Sequence, residues 1–496
     1  MVCLSQLDLL SHIRLETASE LPIYRQLADA IQLAMDKGAL LHGDRLPPTR
    51  ELAGLLGLNR TTVSAAYALL EQAGSLQGVV GRGSFVVRSS ATTPAELDWE
   101  TLLGPVYADA AASPEPAYNF ANSKPAEECF PMAEFRRLAK EVIDSPEASE
   151  LLQLGSPYGY APLRRYLSHE SAASGIGRAN DDLIVTNGCQ QALDLIARIL
   201  VEENTPVLVE DPAYHGLLRV FARARAQLLP VPVSASGLNL QVLEHLAAQH
   251  RPRLLVLTPD FQNPTGITLP LEQRRAILGL AARFGIAVVE IAIYRDLRYR
   301  GAAPPSLKQL DETGNVISIG SYSKIAFPGL RVGWVTAPRP VVARLAEAKQ
   351  TADLHSDQLS QAVLLRFAES GELLRHIEQT RKVGAERLQS ALDACGRALP
   401  AGTRYSRPEG GMNLWVELPL PLTAETLLNA ARERGVAFLP GNYFSHKDAH
   451  RRSFRLSFGG LSPKEITAGM RILGAVAAEQ MRTLAEAPLA MNAALV

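Results

Sequence analysis

Lys324 closes the stretch SIGSYSK, behind an apolar run and two hydroxyl residues, Ser321 and Ser323. A lone lysine is ordinarily solvated surface. One placed here would be desolvated, would lose its proton more readily and could add as an amine to a carbonyl. Arg331 follows in AFPGLRVGW, and with the two hydroxyls it would suit a phosphate carried by that carbonyl compound. Three further stretches carry compatible chemistry. In LIVTNGCQQALDL an apolar run meets Gly188 and a helical pattern that begins near Cys189 and Gln190. Backbone N–H groups at such a helix start bind phosphate, though a tight strand-to-helix turn would need the glycine anyway. In LTPDFQNPTG, Asn263 lies between an apolar run and a proline turn, a setting equally open to a plain turn. In FRLSFGG, Arg455 sits on a strand-like run and could clamp a carboxylate with two parallel hydrogen bonds.

These residues need elements to hold them. DLIVT, PVLVE, RLLVLTP, IAVVEI and VISIGS read as strands, with QQALDLIARILVE and LEQRRAILGLAARFG as helices between them. Near-continuous apolar strands separated by amphipathic helices predict a largely parallel sheet covered on both faces, and such sheets bind ligands at the C-terminal ends of their strands. Each motif above falls at such an end. At 496 residues the chain is too long for one core, and 47% hydrophobic with 20% charged residues describes a folded protein. No run approaches the roughly 18 apolar residues of a membrane span. The start, MVCLSQLDLLSHIRLE, is acidic where a secretory leader would be basic, and Cys3, Cys129, Cys189 and Cys395 lack metal-ligand spacing. The expectation is a cytoplasmic protein with reduced thiols and no metal.

The first ninety residues follow a different pattern. LPIYRQLADAIQLAMDKG places Ile23, Leu27, Ile31 and Ala34 at helical spacing, with Gly38 as a stop. TRELAGLLG predicts a short helix with Thr49 as N-cap and Gly57 at its end. RTTVSAAYALLEQAG predicts another, capped by Asn59 and burying Val63, Tyr67 and Leu70. SLQGVVGRGSFVVR reads as a hairpin turning at Gly81-Arg82-Gly83. A helix-turn-helix followed by a hairpin is a winged helix. From Lys37 to Arg88 six basic residues face three acidic ones, an excess that the net charge of −1 conceals. Arg60, Thr61 and Thr62 occupy the turn that would enter a major groove, and Arg82 at the wing tip could reach a minor groove. Trihelical units of this kind also serve as protein-interaction modules. Residues 89–117, rich in Ala, Pro and Ser, read as a linker with one short helix near Trp99 to Leu103.

The run GDRLPPTRELAGLLGLNRTTVSAAYALLEQAGSLQGVVGRGSFVV resembles the winged helix of GntR-family transcription regulators, over roughly residues 20–88. The resemblance implies Arg50, Arg60, Thr62 and Arg82 as contacts to double-stranded DNA. SPYGYAPLRRYL, TNGCQQALDL, EDPAYHG, PDFQNPTG, GSYSKIAFPGLRVGW and FRLSF, in that order, resemble fold-type-I pyridoxal-phosphate enzymes of the aminotransferase class, through most of residues 118–478. That likeness implies Lys324 as the Schiff-base lysine, with Gly188, Cys189, Ser321, Ser323 and Arg331 around the phosphate. It also implies Tyr214 stacked on the ring, Asn263 and Tyr294 on the phenolic oxygen, and Arg455 on the carboxylate of an amine or amino-acid effector. The whole arrangement resembles the MocR type of regulator. A homodimer is expected, because winged-helix readers favour two half-sites and the enzymes that the body resembles build their sites between subunits. The expected domains are a winged helix at 11–88, a linker at 89–117 and an α/β body at 118–480. The body divides into a large part of about 160–370 with a mostly parallel sheet and a small α+β part of about 371–480; residues 481–496 form a tail.

One residue departs from the resemblance. The strand IAVVEI runs into Glu290-Ile291-Ala292-Ile293-Tyr294, and Ile291 stands where such enzymes place the carboxylate that faces the ring nitrogen. Glu290 cannot replace it, because neighbours on a strand point to opposite faces. A pyridinium–carboxylate pair keeps the ring protonated so that it can draw electrons from the substrate, and an apolar side chain disfavours that charge. Ile291 therefore predicts slow proton abstraction, with amine exchange at Lys324 less affected. The expectation is a sensing regulator. A working aminotransferase with an appended DNA module, and a regulator that no longer binds pyridoxal phosphate, stay open at this point.

Overall fold

In the computed structural model, which describes residues 13–16, 21–79, 81–87, 97–103, 116–447 and 449–486, the chain divides into two units, Met1–Ala111 and Ala112–Val496. Cys3, Arg88 and most of the expected linker lie outside the described residues.

In the first unit, helices span Ile23–Asp36, Thr49–Leu56 and Arg60–Gln72. Leu27, Ile31, Leu52, Val63, Tyr67 and Leu70 meet in one core, while Ile23 is only half-buried. Asn59 caps the third helix, its Oδ1 accepting from the Thr61 N–H at 3.2 Å. Thr49 is not an N-cap. Pro48, extended at φ −53° and ψ 142°, holds that place with no side-chain cap, and Thr49 is the first helical residue. Gly57 ends the helix in the left-handed region at φ 66°, as expected. Three short strands, β1 (Arg45–Leu46), β2 (Leu76–Val79) and β3 (Gly83–Val86), pair antiparallel in the order β1-β3-β2. The wing turns at Gly81 and Gly83, whose φ values of 77° and 115° explain both glycines. Trp99–Leu103 is a short helix.

The second unit opens with β4 (Tyr118–Asn119), followed by β5 (Asp181–Thr186), β6 (Pro206–Asp211), β7 (Gln227–Ser234), β8 (Gly237–Leu238), β9 (Leu254–Leu257), β10 (Ala287–Ile291), β11 (Val316–Ser321) and β12 (Gly333–Pro338). Strands β5 to β12 form one sheet in the order β5-β12-β11-β10-β9-β6-β7-β8, parallel from β11 to β7. Strand β12 runs antiparallel to both its neighbours, and β8 to β7. Val209, Val256, Val289, Ile291 and Ile319 pack on one face against helices Gly188–Leu200, His215–Arg223 and Arg339–Asp353. Leu208, Leu255, Leu257, Val288 and Val316 pack on the other against Leu240–His250 and Leu271–Phe284. The five strands expected from their apolar runs are all present. The sequence reading missed β7 and β12, because prolines break QLLPVPVS and the antiparallel GWVTAP mixes glycine, threonine and proline with few apolar residues.

Four more strands, β13 (Arg404–Tyr405), β14 (Asn413–Glu417), β16 (Leu439–Pro440) and β17 (Ser453–Ser457), make a second sheet in the order β13-β14-β17-β16. Helices Glu372–Ala398, Ala424–Glu433 and Pro463–Glu486 accompany it. β15 (Val436–Ala437) pairs in parallel with β4, and Phe120 is fully buried in this small core. The beginning of the body thus completes its end, which a boundary near 371 does not anticipate. The expected tail also begins later, since the last helix runs to Glu486 with Met481 packed on the core; residues 487–496 lie outside the described residues.

Candidate functional site

Strand β5 stops at Thr186, and Gly188 starts the next helix at φ 79°. A Cβ there would lie 2.5 Å from Nη2 of Arg331, so the guanidinium can approach the turn only because residue 188 is glycine. Arg331 donates to the Asn187 carbonyl and to Ser323 Oγ, each at 3.3 Å. Ser321 Oγ accepts from the Ser323 N–H at 3.1 Å. Helix N–H groups, two hydroxyls and a guanidinium therefore meet at one place, an anion cradle. A network invisible in the sequence braces it. Asn187 Nδ2 donates to Asp353 at 2.7 Å, and buried Lys349 holds the same carboxylate at 2.8 Å. Cys189 stands at the cradle, where burial pushes its thiol up to about 12 and leaves it inert.

Beyond the end of β11, a single 3₁₀ turn, Tyr322–Lys324, presents Lys324. Its ammonium donates to the Ser123 carbonyl at 2.5 Å and lies 5.8 Å from the centroid of the Tyr294 ring. Burial first, then the neighbouring Arg455, bring Lys324 down to about 8, with Cys189 opposing. Asn263 joins two expected partners: its Nδ2 donates to Tyr294 Oη at 3.4 Å, and its Oδ1 accepts from Arg455 at 3.1 Å. Burial pushes Tyr294 up to about 12, so its hydroxyl keeps its proton and can donate. Arg455, 3% exposed on β17, also donates to the Ala121 carbonyl and lies over the Phe444 ring. Tyr214 precedes helix His215–Arg223, its ring folded over Gly216, and burial raises its hydroxyl above the ordinary tyrosine range, with Arg455 and Arg331 opposing. The segment Ala121–Ser123 was not among the expected site residues, and no local pattern marks it.

Ile291 is the last residue of β10, in register with Ile319 of β11 and 4% exposed. It belongs to the apolar layer that Tyr214 and Cys189 also touch. Glu290 faces away. Its carboxylate accepts the N–H groups of Leu307 (2.7 Å) and Lys308 (3.0 Å) at the start of helix Leu307–Leu310 on the opposite side of the sheet. The strand alternation that excluded Glu290 is what the structure has.

The donor set fits pyridoxal phosphate. The cradle at Gly188, Ser321, Ser323 and Arg331 suits its phosphate, Lys324 its aldehyde, and Asn263 with Tyr294 its phenolic oxygen. Lys324, Arg331 and Arg455 donate to neutral oxygens in the contacts above, so their charge calls for anions.

In the first unit, Arg50, Arg60, Thr61 and Arg82 are exposed and Thr62 is half-buried. Arg60, Thr61 and Thr62 share the first turn of the third helix, Arg50 stands at the start of the second, and Arg82 is at the wing tip.

Residues 131–473 match the model of aminotransferase class I and II, and residues 23–86 that of bacterial regulatory proteins, gntR family. The 2-aminoadipate transaminase of Thermus thermophilus is 38% identical over 72% of this chain and 89% of its own length. A Rhizobium meliloti protein named as a probable rhizopine catabolism regulatory protein, MocR, is 29% identical over 92% of this chain and 94% of its own. The crystal structure of LysN, the α-aminoadipate aminotransferase of Thermus thermophilus complexed with N-(5'-phosphopyridoxyl)-L-leucine, superposes with a TM-score of 0.70 at 36% identity, covering 74% of this chain and 94% of that one. Among the described residues no helix is long and apolar enough to cross a membrane.

Proposed function

The chain belongs to the aminotransferase class I and II family, joined in the MocR manner to a gntR-family regulator unit, and from that premise we propose a DNA-binding transcription regulator that senses an amine or amino acid. Ile291 carries the reading. When bound, pyridoxal phosphate would supply a carbonyl for amine exchange and a ring able to withdraw electrons from the bonded amine. The chain's residues serve the first role well. Lys324, near 8, is partly neutral at physiological pH and can act as a nucleophile. Arg331 and its cradle hold the phosphate, Tyr294 and Asn263 orient the phenolic oxygen, and Arg455 clamps a carboxylate. For the second role the apolar Ile291 offers nothing to retain a proton on the ring nitrogen. Amine exchange proceeds while turnover is slow.

The regulator works in the cytoplasm as a homodimer, since winged helices read paired half-sites. Leu152, Leu154 and Leu354, at 76%, 79% and 55% exposure, support burial against a second copy. The Gln358 side chain, donating to the Gln153 carbonyl at 3.0 Å, draws those segments together.

The test is an absorbance spectrum of the protein with added pyridoxal phosphate, beside Lys324→Ala. A visible band that requires Lys324 and shifts on adding amino acids supports the reading; its absence overturns the cofactor. Turnover at ordinary rates of about 1–1,000 per second with a panel of amino acids would instead favour an aminotransferase carrying a DNA module. The intact set of Lys324, Asn263, Tyr294 and Arg331 keeps that second reading in play.

A further inference from the structure

The small sheet has two unlike faces. Leu414, Val416, Phe454 and Leu456 of β14 and β17 enter the small core. Their alternates Asn413, Trp415, Arg455 and Ser457 point the other way, the way in which Arg455 reaches Asn263. Asn413 is 1% exposed, and neither atom of its amide has a hydrogen-bond partner. Ser457, directly opposite, is satisfied by the Met412 carbonyl at 3.2 Å. One more buried atom nearby lacks a partner, Arg455 Nε. The backbone of Asn413 also abuts the turn that carries Asn263, since a Cβ on Gly266 would come within 2.7 Å of the Asn413 carbonyl. Buried amides are nearly always paired, so an amide left open on both sides, on the sheet face of Arg455 and one residue pair of that face further along, calls for a ligand with a donor and an acceptor of its own.

We propose that Asn413 reads the side chain of the sensed compound, an α-amino acid ending in a carboxamide or hydroxyl, while Arg455 holds its carboxylate. This rests on the amino-acid-sensing reading above. A carboxamide or hydroxyl donates and accepts at once and matches both open atoms of Asn413. An aliphatic side chain leaves both unpaired.

The experiment titrates the full chain, loaded with pyridoxal phosphate, with asparagine, glutamine, serine and threonine against alanine and leucine, following the band shift. The expected preference for the polar set over alanine is about tenfold or more. Asn413→Leu abolishes it, and Asn413→Asp, which keeps the shape but loses the donor, moves it toward amino acids with ammonium side chains. The ratio to alanine is the readout, because a general loss of folding or cofactor does not move a ratio. Equal affinities in the wild type, or an unchanged ratio in Asn413→Leu, overturn the proposal. If the wild type shows no Lys324-dependent band, the cofactor reading fails separately. Calorimetric titration of the same amino acids without cofactor then decides this one: a preference abolished by Asn413→Leu sustains it, and no binding, or a preference that survives the substitution, overturns it.

Discussion

Position 291 tests the proposed chemistry most directly, because on that reading one side chain separates exchange from turnover. Ile291→Asp restores a carboxylate beside the ring nitrogen, and transamination in the presence of pyridoxal phosphate rises by about 10²-fold or more, measured with the amino-acid panel and a keto-acid acceptor. No rise would mean that something other than the ring nitrogen limits the site. A second titratable group, Glu210 on β6, has a pH signature of its own. Burial pushes it up to about 8, against hydrogen bonds from Thr258 and Gln262. Its folded pKa lies above the ordinary 4.5, so the folded chain holds more protons between these values. Stability from this group is full below about 4.5 and is lost as pH rises through 8. Glu210→Gln therefore loses less Tm between the acidic and alkaline sides of that window than the wild type does. At this scale Lys324, Asn263 and Arg455 were legible from type and place, and Tyr294 from the family resemblance. Asn413 was not, because its lack of partners depends on three segments distant in sequence.

At the scale of elements, the cradle depends on a strand-to-helix turn and the DNA surface on a helix start. Gly188→Ala puts a methyl group against Arg331 at a backbone angle that alanine avoids. Affinity for pyridoxal phosphate falls by about tenfold or more, read by titrating the Lys324-dependent band; an unchanged affinity would show that the cradle does not hold the phosphate. On the third helix, Arg60→Ala weakens DNA binding and lowers the slope of log affinity against log salt by about 1 if Arg60 contacts a phosphate. A base contact would relax sequence preference and leave the slope. The helices of the first unit, the wing, and β5, β6, β9, β10 and β11 were readable because the helices repeat with period 3.6, the wing turns on glycine and those strands are near-continuous apolar runs. Strands β7 and β12, with prolines or little apolar length, gain strand character only from the neighbours on which they are paired.

For the whole molecule, the expected mass in sedimentation is twice 53.6 kDa. A single-chain mass at working concentrations would remove the homodimer and the paired half-sites with it. The two units also predict a double dissociation. Arg60→Ala loses DNA affinity and keeps the visible band, while Lys324→Ala loses the band and keeps DNA binding in the absence of amino acids. Loss of both by either variant would place the two functions in one inseparable structure.

The sequence alone determined the order of the parts and marked Lys324, Asn263 and Arg455 as candidates, since residue type and local period are written along the chain; the departure at Ile291 was legible only through the family resemblance. It also excluded Glu290, because alternation on a strand is local. Only the tertiary structure decided that Tyr118–Phe120 completes the small core and that Lys349 and Asp353 brace the turn at Asn187 and Gly188. It alone showed an amide at 413 open on both sides, on the same sheet face as Arg455. Those facts arise where segments far apart in sequence share one buried space, and burial, pairing and the lack of a partner are properties of that space.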